Sequence, residues 1–295
     1  MTASPRPLDH LVLPTASLDT ARARLFALGF TVAPVGIHPF GTANACVFFA
    51  DGTYLEPLAV ADERRAGDAA RSGNVFVARD AAYRQRLGDE GFSALVFGTD
   101  DASADHEAFV GKGVSAGDIL DFSRGFTDAD GNSGTASFRL AFAADSHAPD
   151  VFFFTCQRVN VPTIDRSALQ AHTNGVTGIT GVVFSARDPA KLSAIIRTAS
   201  GAVTGEPGND RHVRISAGNT LFDILDDDEF VARTGLEPTS DAALRARAIR
   251  FSARDIAAVG SLLRAADIAH ETREGRLVVP PAPGQGAAFI FEEKS

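Results

Sequence analysis

A short strand-like phrase near the start of the chain, residues 8–13, constrains the fold more than any other feature, because it is echoed three times downstream. The echoes begin at residues 93–98, 179–185 and 247–251. Each opens a segment of similar plan, in which a helix follows the strand. Internal repetition decides a fold more firmly than local propensity does. The sequence therefore predicts four modules of βαβββ plan.

The first module shows this plan in most detail. Apolar Leu18, Ala21, Leu25 and Leu28 recur at helical spacing, and Gly29 ends the helix. The predicted elements are a strand at 9–13, a helix at 18–28 and strands at 31–36, 43–49 and 54–60. A tight turn at 51–52 joins the last two strands.

The other modules are predicted by the same reasoning. The second has a strand at 93–98, a helix near 104–111 and strands near 119–124, 136–141 and 151–156, with a turn at 130–132. The third and fourth have first strands at 179–185 and 247–251, helices at 189–198 and 256–266, and last strands at 221–225 and 288–291. Residues 184–188 and 251–255 are nearly the same phrase, which is the strongest internal support for duplication.

These modules predict an α+β fold with two paired-module domains, each with curled mixed sheets around a cup. The N-terminal domain is expected at residues 1–160, with modules at 7–60 and 91–157. The C-terminal domain is expected at 177–295, with modules at 177–228 and 245–293. Residues 161–176 are interpreted as the linker, and 61–91 as an irregular or helical connection.

Composition excludes several classes of function. The chain has 28 Lys and Arg against 37 Asp and Glu, a net charge of −9, which argues against binding to nucleic acid or to an anionic membrane. No stretch approaches the apolar length that spans a bilayer, and the N-terminus lacks a signal-like apolar region, so a cytoplasmic protein is expected. Cys46 and Cys156 lie in apolar runs and are expected to be buried, reduced thiols.

Candidate site residues concentrate in the first module. His10 and Glu56 end up on its first and last strands, and an imidazole with a carboxylate suits a divalent ion. The alternative is a histidine hydrogen-bonded to a buried carboxylate for structural reasons. Thr42 and Asn44 follow His38 and face a wall of small residues, as substrate-binding groups would; the alternative is a loop held by its own hydrogen bonds.

Several short phrases resemble the glyoxalase-like branch of the vicinal oxygen chelate superfamily. They are residues 8–10, 38–44, 54–56, 154–157 and 172–175. The resemblance implies a cup that holds a divalent metal (Zn, Mn, Fe or Ni) through His10 and Glu56. The positions equivalent to these two ligands in the third module are Gly181 and Asp223, so that module lacks the histidine.

The resemblance also suggests substrate-binding residues around the N-terminal cup. Phe40 and Phe154 would line an apolar pocket, and Arg124 would bind an anion. Arg158 stands where relatives often carry histidine and either holds an anionic substrate or lies in water. The remaining candidates are Gln157, expected close to the cup, and His172, expected to fold over its mouth. The acidic run at 226–229 is interpreted as a solvated turn.

The resulting hypothesis is a small-molecule enzyme with divalent-metal-assisted lyase or isomerase chemistry, in which Glu56 is a ligand and His38 moves a proton. The first alternative is a metal-free protein that binds and sequesters an aromatic or drug-like molecule. The second is an extradiol-type dioxygenase, which usually needs two histidines and one carboxylate on iron. The C-terminal modules would then close the cup or contact a second subunit, so a homodimer stays open. No motif for nucleotide or phosphate binding competes.

Overall fold

The computed structural model describes residues 4–127, 133–160, 165–202, 205–206, 210–238 and 243–293. In the first part of the chain the elements are β1 (Leu8–Pro14), α1 (Leu18–Ala27), β2 (Gly36–Ile37), β3 (Thr42–Asn44), β4 (Val47–Phe48), β5 (Tyr54–Val60), α2 (Glu63–Arg71), α3 (Val75–Leu87), β6 (Ala94–Gly98), α4 (Ala102–Gly111), β7 (Leu120–Thr127), β8 (Ser133–Ala143) and β9 (Phe152–Asn160). After a 3₁₀ turn at Ser167–Gln170 they are β10 (Val176–Ser185), α5 (Pro189–Ser200), β11 (Gly205–Glu206), β12 (His212–Ala217), β13 (Thr220–Leu225), α6 (Asp227–Thr234), β14 (Arg245–Ala253), α7 (Ile256–Ala265), β15 (Glu271–Arg273), β16 (Arg276–Val279) and β17 (Ala288–Glu293).

The strands form two mixed sheets with the same internal order. The first runs β2-β3-β5-β1-β6-β9-β8-β7, with β4 also paired to β5, and the second runs β11-β12-β13-β10-β14-β17-β16-β15. In each sheet two antiparallel central strands, β1–β6 or β10–β14, join two halves. Each central strand pairs in parallel with the last strand of its own half. The predicted α+β fold of paired modules with curled mixed sheets is confirmed.

Side-chain caps define where the helices begin. Each of the seven α-helices in the described part of the chain follows a Ser, Asp or Asn whose side chain accepts a hydrogen bond from a backbone N–H of the first turn. Such a cap stabilises a helix by about 0.5–2 kcal/mol. None of these helices combines the length and apolar character needed to cross a membrane.

The two faces of each sheet have different roles. Leu11 and Leu13 on β1 belong to a large apolar core that also contains Phe222 and Phe251 from the second sheet. Val12, between them, belongs to a separate cluster inside the first cup. Since successive side chains of a strand point to opposite faces, one face fuses the two halves and the other lines a cup. The second sheet has its own inner cluster, which includes Val183 on β10.

Polar contacts add to the joint between the halves. The amide of Asn219 accepts from the backbone N–H of Leu8 at 2.8 Å and donates to the carbonyl of Leu8 at 3.1 Å. Asn174 donates to the carbonyl of Leu28 at 2.8 Å. The two sheets therefore form one continuous buried assembly.

Two strands of the first module differ from the prediction. The expected strand at 31–36 is reduced to Gly36–Ile37, because upstream backbone groups bond elsewhere; the N–H of Thr31, for example, donates to the ring of His172 at 3.0 Å. The expected strand at 43–49 is divided into β3 and β4. The register places Ala45, in the gap, opposite Pro57, and proline has no N–H to offer the ladder.

Other differences lie in the connections. The acidic run at 226–229 is not a solvated turn: Asp226 caps α6 by accepting from the N–H of Glu229, and the acidic residues after it occupy the helix's first turn, where the helix dipole favours them. Residues 61–91 contain two helices, α2 and α3. The predicted turn at 130–132 lies outside the described residues. Cys46 and Cys156 are free and buried, as predicted.

Candidate functional site

A pocket of about 420 Å³ lies on the inner face of the first sheet. Five phenylalanines form much of its wall: Phe40, Phe76, Phe122, Phe138 and Phe154. The polar side chains that reach it include His10, His38, Tyr54, Glu56 and Arg124. A largely apolar cavity with a few convergent polar groups is the usual form of a small-molecule site.

The pairing of β1 with β5 brings His10 and Glu56 together. These strands run parallel, with Val12 opposite Glu56, so the two side chains lie on the same face, two residues apart in register. His10 Nε2 is 3.3 Å from Glu56 Oε2, and both side chains are buried. The predicted convergence of this imidazole and this carboxylate is therefore present.

His10 is held on its other sides as well. Its Nδ1 is 3.1 Å from Asp9 Oδ1, and its ring stacks on Tyr54 with centroids 4.3 Å apart. Asp9 in turn accepts from Arg158 Nη2 at 2.7 Å. Burial lowers the pKa of His10, but hydrogen bonds and charge from Asp9 and Glu56 outweigh it, so that the pKa lies above its ordinary value. The ring favours the imidazolium form.

His38 has the opposite protonation tendency. Its Nδ1 pairs with Thr42 Oγ1 at 2.8 Å, and its Nε2 lies 3.3 Å from Asn44 Nδ2 and 3.6 Å from Glu56 Oε1. Burial lowers the pKa of His38 to about 4. The nearby Glu56 carboxylate raises this pKa but offsets only part of the effect of burial, and Arg124 and His10 lower it further. At neutral pH this ring is uncharged.

Glu56 is the centre of the arrangement. Its Oε1 accepts from Asn44 Nδ2 at 2.6 Å, while Oε2 faces His10. Burial raises its pKa, yet the hydrogen bond and charge of His10, together with His38 and Asn44, bring the pKa down to about 2. The carboxylate is therefore ionised at neutral pH.

Arg124 reaches the pocket from β7, in the other half of the sheet. A methyl group added at Gly36 would lie 2.6 Å from Asn44 Oδ1 and 2.8 Å from Arg124 Nη1. Both distances are far below ordinary contact, so Asn44 and Arg124 share space that only a glycine leaves free. This cation is available to an anionic group in the pocket.

Most predicted site residues lie in or directly behind this pocket. His10, His38, Phe40, Glu56, Arg124 and Phe154 line it. Thr42 and Asn44 orient His38 and Glu56 from behind, and Arg158, an exposed residue, donates to Asp9.

Two predicted substrate-binding residues lie elsewhere. Gln157 accepts from the backbone N–H of Ala102 and donates to the carbonyl of Asp100, at the start of α4. His172 bonds the backbone of Thr31 and Phe48 and packs against Phe30, which belongs to the core shared by the two halves. Neither residue lines the pocket. Gln157 bonds the backbone at the start of α4, and His172 lies in the joint between the two halves.

Sequence reasoning missed several wall residues. Phe76 comes from α3, in a segment interpreted only as a connection, and no local pattern distinguishes it from a core residue. Phe122 and Phe138 face each other across β7 and β8, with ring centroids 5.1 Å apart. Sequence reasoning also missed Asp9 as a second partner of His10, which only its adjacency in the chain could have indicated.

The described donor set does not by itself fit the divalent metal that the family resemblance implies. Metal sites in proteins usually take at least three side-chain ligands. Among the residues described by the structure, no group of three or more His, Cys, Asp or Glu side chains is arranged to hold an ion. His10 and His38 approach different oxygens of Glu56, and Asn44 occupies one of those oxygens.

Comparisons with known proteins agree with the fold. A family model described as a glyoxalase-like domain matches residues 8–199. No curated protein sequence matches the chain. A crystal structure of a hypothetical protein from Staphylococcus aureus is similar at 15% identity and a TM-score of 0.66, over 98% of this chain and 99% of that one.

Two enzymes of known name share the architecture at lower similarity. A mutant of 4-hydroxymandelate synthase from Streptomyces coelicolor has 13% identity and a TM-score of 0.57, over 99% of this chain and 93% of that one. A catechol 2,3-dioxygenase has 12% identity and a TM-score of 0.54, over 99% and 94%. At such identities the likeness concerns the fold alone.

Proposed function

The chain belongs to the glyoxalase-like domain family, and from this premise we propose that its N-terminal cup binds a small aromatic carbonyl compound with an anionic group and transfers a proton next to the carbonyl. One observation carries the proposal: a neutral histidine, a histidine with a raised pKa, an ionised carboxylate and an arginine meet in one phenylalanine-lined pocket. This is the lyase or isomerase chemistry expected from the sequence.

The pocket favours a substrate with a flat apolar body. The phenylalanine walls of the pocket suit an aromatic ring. Arg124 contributes a permanent charge with several N–H donors, which suits a carboxylate or enolate oxygen. The substrate class is therefore an aryl compound that carries both a carbonyl and an acid group.

His38 is the residue we assign to accept the proton. It is uncharged at neutral pH, so one of its ring nitrogens carries a lone pair that can take a proton, and the Glu56 carboxylate 3.6 Å from Nε2 stabilises the imidazolium once it forms. The electron pair left on the substrate carbon moves to the carbonyl oxygen, where the Arg124 guanidinium stabilises the negative charge. Return of the proton to a neighbouring atom completes an isomerisation.

Phenylpyruvate is a suitable probe, since it has a ring, an enolisable carbonyl and a carboxylate. In D₂O, wild-type protein should accelerate exchange of its methylene protons, as measured by proton NMR. His38→Gln should slow the enzymatic exchange by about 100-fold or more, as expected for loss of a general base, while calorimetry shows binding within a few-fold of wild type. His147→Gln, at an exposed histidine of the same half, is the matched control.

A sequestering protein is the second candidate, favoured by the apolar wall and by the many internal hydrogen bonds of the polar groups. Tight binding of phenylpyruvate without accelerated exchange would favour this candidate over the enzyme. Absence of both binding and exchange would count against the substrate class itself.

Elemental analysis tests metal assistance by His10 and Glu56, which stays a prediction. Protein purified without chelator should be compared with His10→Ala and Glu56→Ala, each after addition of zinc, manganese, iron or nickel. Stoichiometric metal in wild type that both variants lose would establish the metal-dependent version. Exchange of phenylpyruvate protons that persists with no bound metal would support the acid–base chemistry proposed here.

A further inference from the structure

A second pocket, of about 640 Å³, lies in the cup of the C-terminal sheet. Five arginines reach it: Arg214, Arg233, Arg250, Arg273 and Arg276. Apolar side chains, among them Val183 and Ile290, also line it, together with the acids Asp223 and Glu274. Its lining is therefore cationic where that of the N-terminal pocket is aromatic.

The two pockets occupy equivalent places in their sheets. His10 on β1 pairs with Val96 on β6, and at the same point of the second sheet Gly181 on β10 pairs with Arg250 on β14. Both pairs lie directly after a shift in the strand register. The charged side chain therefore lies on β1 in the first sheet but on β14, the other central strand, in the second.

The carboxylates also correspond. Glu56 lies opposite the residue two positions after His10, and Asp223 lies opposite Val183, two positions after Gly181. A methyl group added at Gly181 would lie 2.3 Å from Arg250 Nη2. The missing side chain at Gly181 therefore provides the space that the guanidinium fills.

Arg250 is buried without enough acceptors. Its side chain is 8% exposed, and Nη2 lies 2.9 Å from Asp223 Oδ2, within ion-pair distance. That contact lacks hydrogen-bond geometry, and within the described ranges neither Nε nor Nη2 has a hydrogen-bond acceptor. Leaving a buried charged donor unmatched is costly, so the unmatched guanidinium of a residue that lines a pocket points to a missing partner.

Asp223 cannot serve as that partner alone, because it is already shared. Its Oδ1 accepts from Arg214 Nε at 2.8 Å and lies 2.7 Å from His212 Nε2. At the rim, exposed acids pair with the outer arginines: Glu229 with Arg233 at 3.0 Å and Glu271 with Arg273 at 2.8 Å. The unmatched donors therefore lie at the buried floor, on Arg250, whose facing carboxylate also accepts from Arg214.

We propose that the C-terminal cup is a second ligand site, which binds the carboxylate or phosphate group of a small organic anion through Arg250. Guanidinium groups bind such oxygens in a two-pronged geometry, and the unmatched Nε and Nη2 are donors of that kind. The apolar wall at Val183 and Ile290 accommodates a short hydrocarbon body. The site is independent of the chemistry proposed for the N-terminal cup.

Calorimetry with inorganic phosphate and with benzoate, at constant ionic strength, distinguishes the two head groups. At least one should bind wild type saturably, and Arg250→Gln should weaken that binding by about tenfold or more, as loss of a charged hydrogen bond does. The matched control is Arg211→Gln, since Arg211 forms ion pairs with Asp226 and Asp228 but does not line the pocket. Its binding should stay within about twofold of wild type.

The proposal is overturned if neither probe binds wild type saturably, if folded Arg250→Gln binds as wild type does, or if Arg211→Gln loses as much affinity. Circular dichroism establishes whether each variant is folded. Should Arg250→Gln not fold, Gly181→Ala decides, because it keeps the charge but displaces the guanidinium. Weakened binding in that variant supports the site, and unchanged binding refutes it.

Discussion

The N-terminal and C-terminal cups share a strand order and a register but differ in which central strand carries the charged group. In the first sheet the imidazole of His10 rises from β1, and in the second the guanidinium of Arg250 rises from β14. Each faces a carboxylate at the equivalent position of β5 or β13, Glu56 or Asp223. The fold therefore fixes where a buried charge pair lies, while the side chains decide what the pair can bind.

The surroundings of the two charge pairs also differ, in the balance between hydrogen-bond donors and acceptors. Each oxygen of Glu56 has a partner, Asn44 for Oε1 and His10 for Oε2, and phenylalanines line the pocket around them. Around Asp223 there are more donors than acceptors. The first cup is suited to moving a proton on an apolar molecule, and the second to holding an anion.

The largest expected effect tests whether the two carboxylates are structurally equivalent. Glu56→Ala and Asp223→Ala should each lower the free energy of unfolding by about 3–5 kcal/mol, because each removes a carboxylate that pairs with a buried basic side chain. Urea denaturation followed by circular dichroism measures this. Glu271→Ala, at an exposed acid, is the control and should cost less than about 1 kcal/mol. A similarly small loss in either buried variant would break the equivalence.

The next effect is a pH dependence contributed by the first cup through His38. Its folded pKa of about 4 lies below the ordinary 6.5, so the unfolded state takes up the proton first as pH falls. Between about pH 7 and pH 4.5, wild type should lose about 2–3 kcal/mol more stability than His38→Gln.

Urea titrations of both proteins at several pH values measure that difference, and parallel curves would contradict the prediction. His10 gives an internal check of opposite sign. Because its pKa is raised, its contribution to stability is complete below its ordinary pKa and is lost as pH rises through the folded value. Imidazole NMR titration should show His10 protonated at a pH where His38 is neutral.

A smaller effect is expected from the two glycines that make room for the arginines. Gly36→Ala would crowd Asn44 and Arg124, and Gly181→Ala would crowd Arg250. The crowded atoms are ends of side chains that can shift, so a cost near the low end of overpacking, about 1 kcal/mol, is expected for each. Gly36→Ala should weaken phenylpyruvate binding alone, and Gly181→Ala anion binding alone.

Calorimetry with both probes on both variants measures this separation. Gly111→Ala is the matched control, since an added methyl group there has no neighbour within 4 Å. Loss of both kinds of binding in either variant would mean that the cups do not act independently.

The smallest effect concerns the rim of the second cup. Arg273 is about one-third exposed and pairs with the more exposed Glu271. Arg273→Gln should therefore change the free energy of unfolding by less than about 1 kcal/mol, as for ordinary surface ion pairs. A change comparable to that of Asp223→Ala would place the structural charge at the rim instead of the floor.

Sequence reasoning located the first cup well, because its signals are local. The strand at 54–60 and the phrase around His10 follow strand alternation, and parallel pairing of first and last strands then brings His10 to Glu56. The gap between β3 and β4 was not foreseen, since it depends on which residue faces Pro57 across the sheet.

The second cup could not be interpreted in the same way. The first-strand position that carries His10 in the first module is Gly181 in the third, so the sequence indicates a module without a site histidine. Arg250 lies on a different strand, and only the register shows that it enters the space left by that glycine. Long-range pairing, which one sequence does not display, is the information that was missing.

The division of each strand between a common wall and a private hollow has a practical consequence. Leu11 and Leu13 pack in the core shared by the two halves. His10 and Val12, which alternate with them along β1, face the N-terminal cup. The residues that line either cup can therefore be exchanged, at alternate positions of its strands, without changing the residues that form the core between the two halves.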